Sequence, residues 1–297
     1  MTAQKFPHLL PATMKAMLLP KEERIEHCQS DHWIGYTRGT NVLRQLNELM
    51  SHPRTKRMPN VLVVGRSGNG KTSVLEEFSN RYPIQSDMQG RAIVPILLIE
   101  MPDTPTESEF WSTILWSLNI SHREHDPPRI KKRQARTLML QFKIRVLVID
   151  EFNNLTRAGK EAGAILAAIK GLSNILKISI VAAGTSEAVN ALNSEPQMKS
   201  RFEPAVLDRW TLNVEYLRFL ASYEKVMPLA EPSDIAGREL GTRIFVMAGD
   251  TVGGMVKVLK KASAIAIRTG AEKITSTLLD DMEWTRPDQW HEVGSRV

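Results

Sequence analysis

Asn60-Val-Leu-Val-Val-Gly65-Arg66-Ser67-Gly68-Asn69-Gly70-Lys71-Thr72 decides the fold. Val61–Val64 is a short apolar run of the kind that makes a buried strand. Residues 65–70 then hold three glycines, and from Thr72 to Asn80 the apolar residues return at helical spacing. A strand that turns through glycines into a helix points its amides inward at a helix N-terminus, where phosphate oxygens bind. The GxxxxGKT spacing brings Lys71 to the β- and γ-phosphates and the Thr72 hydroxyl to Mg²⁺. Gly65, Arg66, Ser67, Gly68, Asn69, Gly70, Lys71 and Thr72 are therefore the expected nucleotide-binding residues, with ATP and Mg²⁺ as cofactors. An ordinary glycine-rich turn has no use for the Lys-Thr pair.

Further along, Arg145-Val-Leu-Val-Ile-Asp150-Glu151 sets four apolar residues under two acids. Acids at the C-terminal end of a buried strand lie where ligands bind in open α/β sheets. Asp150 is expected to share the Mg²⁺ with Thr72, and Glu151 to orient and deprotonate a water. Ile93–Ile99, Ile178–Ala183 and Val206–Trp210 read as further strands. Thr40–Met50, Glu107–Leu118, Lys131–Lys143 and Gly159–Ile175 read as helices. Alternation of this kind predicts an α/β fold, a mostly parallel sheet with helices on both faces. The Asp-Glu pair, with a polar residue after the next strand, resembles the additional-strand P-loop ATPases. There the later strand lies between the two motif strands. Thr185, at the end of Val181-Ala-Ala-Gly-Thr185, then sits near the γ-phosphate, or else Gly184-Thr185 is only a strand-end turn.

The whole chain is 297 residues with 39 Lys+Arg, 33 Asp+Glu and a net charge of +6. That is globular composition, long enough for its own core. The single cysteine, Cys28, excludes an intrachain disulfide and any multi-cysteine metal site. No apolar run is long enough to span a bilayer and no secretory leader is read, so a reducing, cytoplasmic location without membrane partners is expected. Pro7, Pro11 and Pro20 suggest an extended arm over 1–32, with a short helix from about Lys21. A nucleotide-binding core is placed at 33–210. Leu212–Val226, Asp234–Ala248, Gly253–Arg268 and Thr275–Trp284 all read as helix, which makes 211–284 a small all-helical domain. Residues 285–297 form a polar tail, and Trp284 and Trp290 there either dock on the helical domain or anchor a partner. His27, Cys28 and His32 lack the further ligands a metal site needs.

Gly65–Thr72, Val146–Glu151, Val181–Thr185 and Ser200-Arg201-Phe202 together resemble the TniB/TnsC family of AAA+ transposition regulators, over about residues 33–270. The resemblance implies an AAA+ core of the additional-strand type with a helical lid. It also implies an ATPase that forms a homo-oligomeric ring or helical filament on double-stranded DNA. Such a protein recruits a transposase to its target and disassembles after hydrolysis. By the same resemblance Thr185 is sensor 1, and Arg201 is the finger that reaches a neighbour's site; Arg209 is the runner-up, and a surface arginine the plainer reading of Arg201. Ile34 and Tyr36 match an adenine-pocket segment, or else they staple the first core helix. The sequence departs from the family at sensor 2, where Gly254 or Met255 stands in place of an arginine and Lys257 follows a turn later.

Arg129, Lys132, Arg133 and Arg136 share one face of a helix, either a phosphate-contacting surface or a solvated one. The family analogy adds Thr104, Thr106, His122 and Arg123, in the loops Asp103–Glu107 and Asn119–His125, as phosphate donors. Two rival functions share these motifs. One is a helicase-loader-like replication ATPase, which would prefer single strands. The other is a non-catalytic, nucleotide-gated scaffold, against which Glu151 speaks.

Overall fold

The computed structural model describes residues 6–193 and 195–286. The chain divides into two units, 38–208 and 1–37 together with 209–297. In chain order it begins with α1 (Pro11–Ala16) and α2 (Lys21–Gln29). Then come α3 (Thr37–Ser51), β1 (Asn60–Gly65), α4 (Lys71–Asn80), the hairpin of β2 (Gln85–Ser86) and β3 (Ala92–Ile93), β4 (Ile96–Glu100), α5 (Glu107–Ser117), α6 (Pro128–Gln141) and β5 (Val146–Asp150). A 3₁₀ segment (Phe152–Glu161) leads to α7 (Ala162–Leu176), β6 (Ser179–Gly184), α8 (Ser186–Asn193), α9 (Pro196–Lys199) and β7 (Phe202–Leu207). The chain closes with α10 (Val214–Glu224), α11 (Arg238–Ala248), α12 (Val252–Thr269) and α13 (Ser276–Asp281).

In the 38–208 unit the strands form one parallel sheet in the order β4-β5-β6-β1-β7. β6 thus separates β1 from β5, as expected for the additional-strand type. Every residue of β5 and β6 is buried, which is why both read as unbroken apolar runs. Leu97, Ile99, Leu147, Ile149, Phe110, Trp111 and Ile165 pack one face of the sheet. Burying a side chain such as Phe110 stabilises by about 1.5–3 kcal/mol.

The run Ile93–Ile99 is split by Pro95 into β3 and β4. β7 begins four residues before the expected Val206. Pro204 lies inside it, which an edge strand tolerates, and its residues alternate between exposed and buried only toward the end. The expected helix from Gly159 starts instead as 3₁₀ at Phe152, kinks at Gly159 (φ 54°) and becomes α at Ala162.

The second unit is helical throughout its described elements. α2 packs on α12, and the Arg24 guanidinium donates to both carboxylate oxygens of Glu272 (3.0 and 2.5 Å) and to the Pro228 carbonyl (2.6 Å). α2 is the short helix expected from about Lys21, and α1 stands where an extended arm is expected. The Tyr216 hydroxyl donates to the Gly241 carbonyl (2.7 Å), tying α10 to α11. Trp284 Nε1 donates to the Met247 carbonyl (2.8 Å), the docking alternative for that residue; Trp290 lies outside the described residues. Among the described residues no helix is long and apolar enough to cross a membrane.

Candidate nucleotide site

The loop between β1 and α4 is shaped by glycines in positive φ, Gly68 at 71° and Gly70 at 82°. Gly70 precedes α4 with no side-chain cap, so the amides of the first turn face the loop. At Gly65 a Cβ would sit 3.1 Å from both Cβ and the carbonyl of Leu207, so the loop starts hard against the end of β7. Asn69 is buried, and its Nδ2 donates to the carbonyls of Leu207 and Asp208, both at 2.7 Å. Its side chain fixes the loop to β7, a role that local spacing does not reveal.

Lys71 is 6% exposed, and its Nζ donates to the carbonyls of Gly65 (3.0 Å) and Arg66 (3.1 Å). Burial lowers its pKa, and the charges of Glu151 and Asp150 pull it partly back. Its hydrogen-bond partners are neutral, so an arriving anion meets an ammonium without breaking an ion pair. The Thr72 hydroxyl donates to Asp150 Oδ2 at 2.7 Å, which unites the two residues expected to hold Mg²⁺. The second oxygen of Asp150 accepts from the Glu151 amide at 2.8 Å. A loop set tightly against β7 at its start, a buried lysine and a hydroxyl–carboxylate pair fit a Mg²⁺–triphosphate by charge and donor type.

Glu151 sits in the left-handed region, φ 49°, a backbone state that costs a non-glycine residue on the order of 1 kcal/mol or more. Its Oε2 accepts from Asn153 Nδ2 at 3.0 Å, and Asn153 Oδ1 accepts from the Thr185 amide at 3.3 Å. One amide group thus joins the acid after β5 to the turn after β6. A Cβ at Gly184 would lie 2.8 Å from Asn153 Oδ1 and 2.7 Å from the Ala188 Cβ, so glycine is required there. The Thr185 hydroxyl accepts from the Glu187 amide (3.4 Å), the turn role set beside sensor 1 above. Asn153 is a site residue missed in the sequence. Its only signal there is its place two residues after Glu151.

Arg201 precedes β7, and its Nη1 donates to Asn174 Oδ1 at 2.6 Å. β1 and β7 are parallel, with Asn60 beside Phe202 and Gly65 beside Leu207. Arg201 therefore starts about 20 Å from the phosphate loop of its own chain, at roughly 3.3 Å per strand residue. Arg209 pairs with Asp250 at 3.7 Å.

Ile34 and Tyr36 belong to the other unit. Ile34 is half-buried, and the buried Tyr36 ring lies 5.1 Å from Trp210, 6.0 Å from Trp33 and 6.3 Å from Phe219. In the same unit a Cβ at Gly254 would fall 2.1 Å from the Ala248 carbonyl oxygen, and Met255 is fully buried. Neither position can present a sensor 2 arginine, while Lys257 is exposed.

The expected DNA face is uneven. Arg129 and Arg133 are exposed. Lys132 lies 5.9 Å from the Trp111 ring centre and 3.9 Å from Glu107, and Arg136 leans on Gly171. Between them Lys131 is buried, donating to Ser108 Oγ, Ser112 Oγ and the Glu124 carbonyl at 2.7–3.0 Å. Thr104 and Arg123 are exposed. Thr106 caps α5 in a reciprocal pair with Glu109, and the His122 ring lies tilted against Trp116 with centres 5.3 Å apart.

The family described as bacterial TniB protein matches residues 24–212, more than half of the chain. The chain belongs to the TniB family. Among solved structures, this TniB chain is similar to the Aeropyrum pernix ORC2 protein in its ADPNP–ADP complexes, with a TM-score of 0.61 and 14% identity over 86% of this chain and 70% of that one. The Aeropyrum pernix ORC1 protein in complex with DNA gives 0.57 and 17%, over 86% and 67%. The Thermotoga maritima RuvB Holliday junction branch migration motor gives 0.50 and 18%, over 81% and 66%. These likenesses establish the fold, an AAA+ P-loop core with a small C-terminal helical region. No curated protein matches the chain. Family and fold together make this TniB chain an AAA+ ATPase.

Proposed function

We propose that this TniB protein is an ATP-dependent regulator of DNA transposition. It oligomerises on duplex DNA, recruits a transposase to the target and leaves when ATP is hydrolysed. The observation that carries this is the Thr72–Asp150 bond beside Lys71 and Glu151 in a chain of the TniB family. In this reading 33–210 is the nucleotide-binding core and 211–284 the lid. The loop amides and Lys71 bind the β- and γ-phosphates, and Thr72 and Asp150 hold the metal. Mg²⁺ there offsets charge on the phosphate oxygens. Glu151 accepts the proton of the attacking water on Oε1, the oxygen Asn153 does not hold. Thr185 stands by the γ-phosphate, and Ile34 and Tyr36 by the base. Arg201, too far from its own loop, acts on the next subunit's nucleotide. Arg129, Lys132, Arg133 and Arg136, with Thr104, Thr106, His122 and Arg123, meet DNA phosphates.

The test is anisotropy binding to duplex and single-stranded DNA at several salt concentrations, with an ATP analogue and with ADP. Duplex preference, weakening with ADP and a slope of about −0.9 in log K against log salt per neutralised phosphate are expected. Lys132→Ala with Arg133→Ala is expected to flatten that slope on every sequence. Preference for single strands favours the helicase-loader reading, and no phosphate release with DNA present favours the scaffold.

A further inference from the structure

Arg38 and Asp208 are the first and last residues of the 38–208 unit, so the chain passes between the two units at 37–38 and at 208–209. Within each unit the two crossings are tied to each other. Inside 38–208, Arg38 Nη1 donates to the Asp208 carbonyl at 2.9 Å. Inside the helical unit, the Tyr36 and Trp210 rings lie 5.1 Å apart, and the Trp210 amide donates to the Asp250 carbonyl at 3.0 Å. Residues 36–38 and 208–210 thus make one joint. The Asp208 carbonyl also accepts from Asn69 Nδ2 at 2.7 Å, and the same nitrogen holds the Leu207 carbonyl at 2.7 Å. A side chain of the phosphate loop therefore grips the last two residues before the chain leaves the unit.

Asn69 is placed to pass a movement on. It stands between Gly68 and Gly70, both in positive φ, where the backbone turns with little steric resistance. Its amide nitrogen is committed to the two carbonyls. Its Oδ1 is buried and accepts no bond among the described residues, so the carbonyls set the direction of the side chain. A phosphate in the loop draws the loop amides toward itself and takes Lys71 Nζ from the carbonyls of Gly65 and Arg66. That turns the Asn69 backbone, and the side chain carries the turn to Asp208. Neither Gly254 nor Met255 can present a sensor 2 arginine, so a route from the loop itself takes its place. We propose that Asn69 is a positioning residue that transmits occupancy of the phosphate loop to the helical unit, through the joint of residues 36–38 and 208–210. The proposal rests on the reading above in one respect, that the loop binds the β-phosphate of a nucleotide.

Hydrogen exchange over 209–213 of the full chain, without DNA, free and with saturating ADP, is the test. ADP fills the β-phosphate position without the γ-phosphate that favours assembly, and sedimentation checks that the oligomeric state is the same in both samples. ADP is expected to slow exchange of the Trp210 amide about tenfold or more in the wild type. Asn69→Ala keeps the backbone amide and is expected still to bind a fluorescent ADP, while the slowing falls to about twofold or less. A residue that only held the shape of the loop would change exchange at 209–213 equally with and without ADP, leaving the response intact. An undiminished response in Asn69→Ala therefore overturns the proposal, as does a wild type that binds ADP with no change at 209–213. A wild type that fails to bind ADP refutes the nucleotide reading itself, and this proposal with it. If Asn69→Ala loses ADP binding, Asn69→Asp replaces it, since it keeps the shape and removes the donor; an undiminished response there overturns the proposal too. Loss of ADP binding in both variants makes the side chain part of the phosphate cradle, which also overturns it.

Discussion

In the proposed function Lys71 and Glu151 divide two jobs between them. Lys71 is a buried ammonium in the loop, whereas Glu151 lies beyond it on a strained backbone after β5. Lys71→Ala is expected to abolish nucleotide binding. Glu151→Gln should keep binding and lose turnover by about 10²-fold or more. Fluorescent-nucleotide titration with phosphate release separates these outcomes, and normal turnover by Glu151→Gln would remove it from the chemistry. Asn153 gives a second expectation at this scale. Gly184→Ala forces a methyl onto Asn153 Oδ1, at a stability cost of about 1–3 kcal/mol. Both Gly184→Ala and Asn153→Ala should lower kcat about tenfold or more with nucleotide affinity little changed. Wild-type kcat in Asn153→Ala would reduce that residue to a turn former. The cradle residues are legible from sequence because they are neighbours in the chain, and their chemistry dictates their spacing. Asn153 and Asn69 are not, because their partners Thr185 and Leu207 lie 32 and 138 residues away.

Elements buried on both sides announce themselves, and elements at edges do not. β5 and β6 read directly as apolar runs, whereas β7 carries Pro204 and exposed positions and is shifted when read from sequence. The hairpin of β2 and β3, and the short α8 and α9, fall between stronger signals. Before Pro20 the proline at Pro11 marks a helix start and not an extended arm, while the short helix expected from about Lys21 is present as α2. α2 is then held by Arg24. Burial by itself would raise the Glu272 carboxyl; the hydrogen bonds from Arg24 and the Ala230 amide, with the Arg24 charge, outweigh it and hold it below the usual glutamate range. Because the folded value is depressed, the pair's contribution is whole above the ordinary 4.5 and is lost as pH falls through the folded value. Glu272→Gln should therefore destabilise the chain by about 3 kcal/mol at neutral pH. The loss should shrink in acid. Thermal melts from neutral pH to about pH 3 check this, and a loss independent of pH would point to packing, not charge.

For the whole molecule, the parallel register of β1 and β7 keeps Arg201 away from the cradle in its own chain. Two inactive variants are therefore expected to complement each other. Arg201→Ala mixed with Lys71→Ala should recover part of the ATPase activity, because one subunit brings an intact loop and the other an intact arginine. A titration of mixing ratio against phosphate release, with co-assembly verified, shows a maximum between the pure species. A flat profile would assign the guanidinium to Asn174 and to local structure. The sheet order was legible from the Asp-Glu pair and the strand that follows it.

The ion pair between Arg24 and Glu272 spans 248 residues of chain, and this has a consequence for synthesis. At about 5–20 residues per second the carboxylate is made roughly 10–50 s after the arginine. During that interval α2 has no α12 to pack on, and by its end the whole of 38–208 has been made. Nascent chains should therefore gain a folded 38–208 unit first and leave residues 21–29 open to proteases and chaperones until α12 and Glu272 have been made. Birth and maturation of the two units are out of step by the length of the insertion between them.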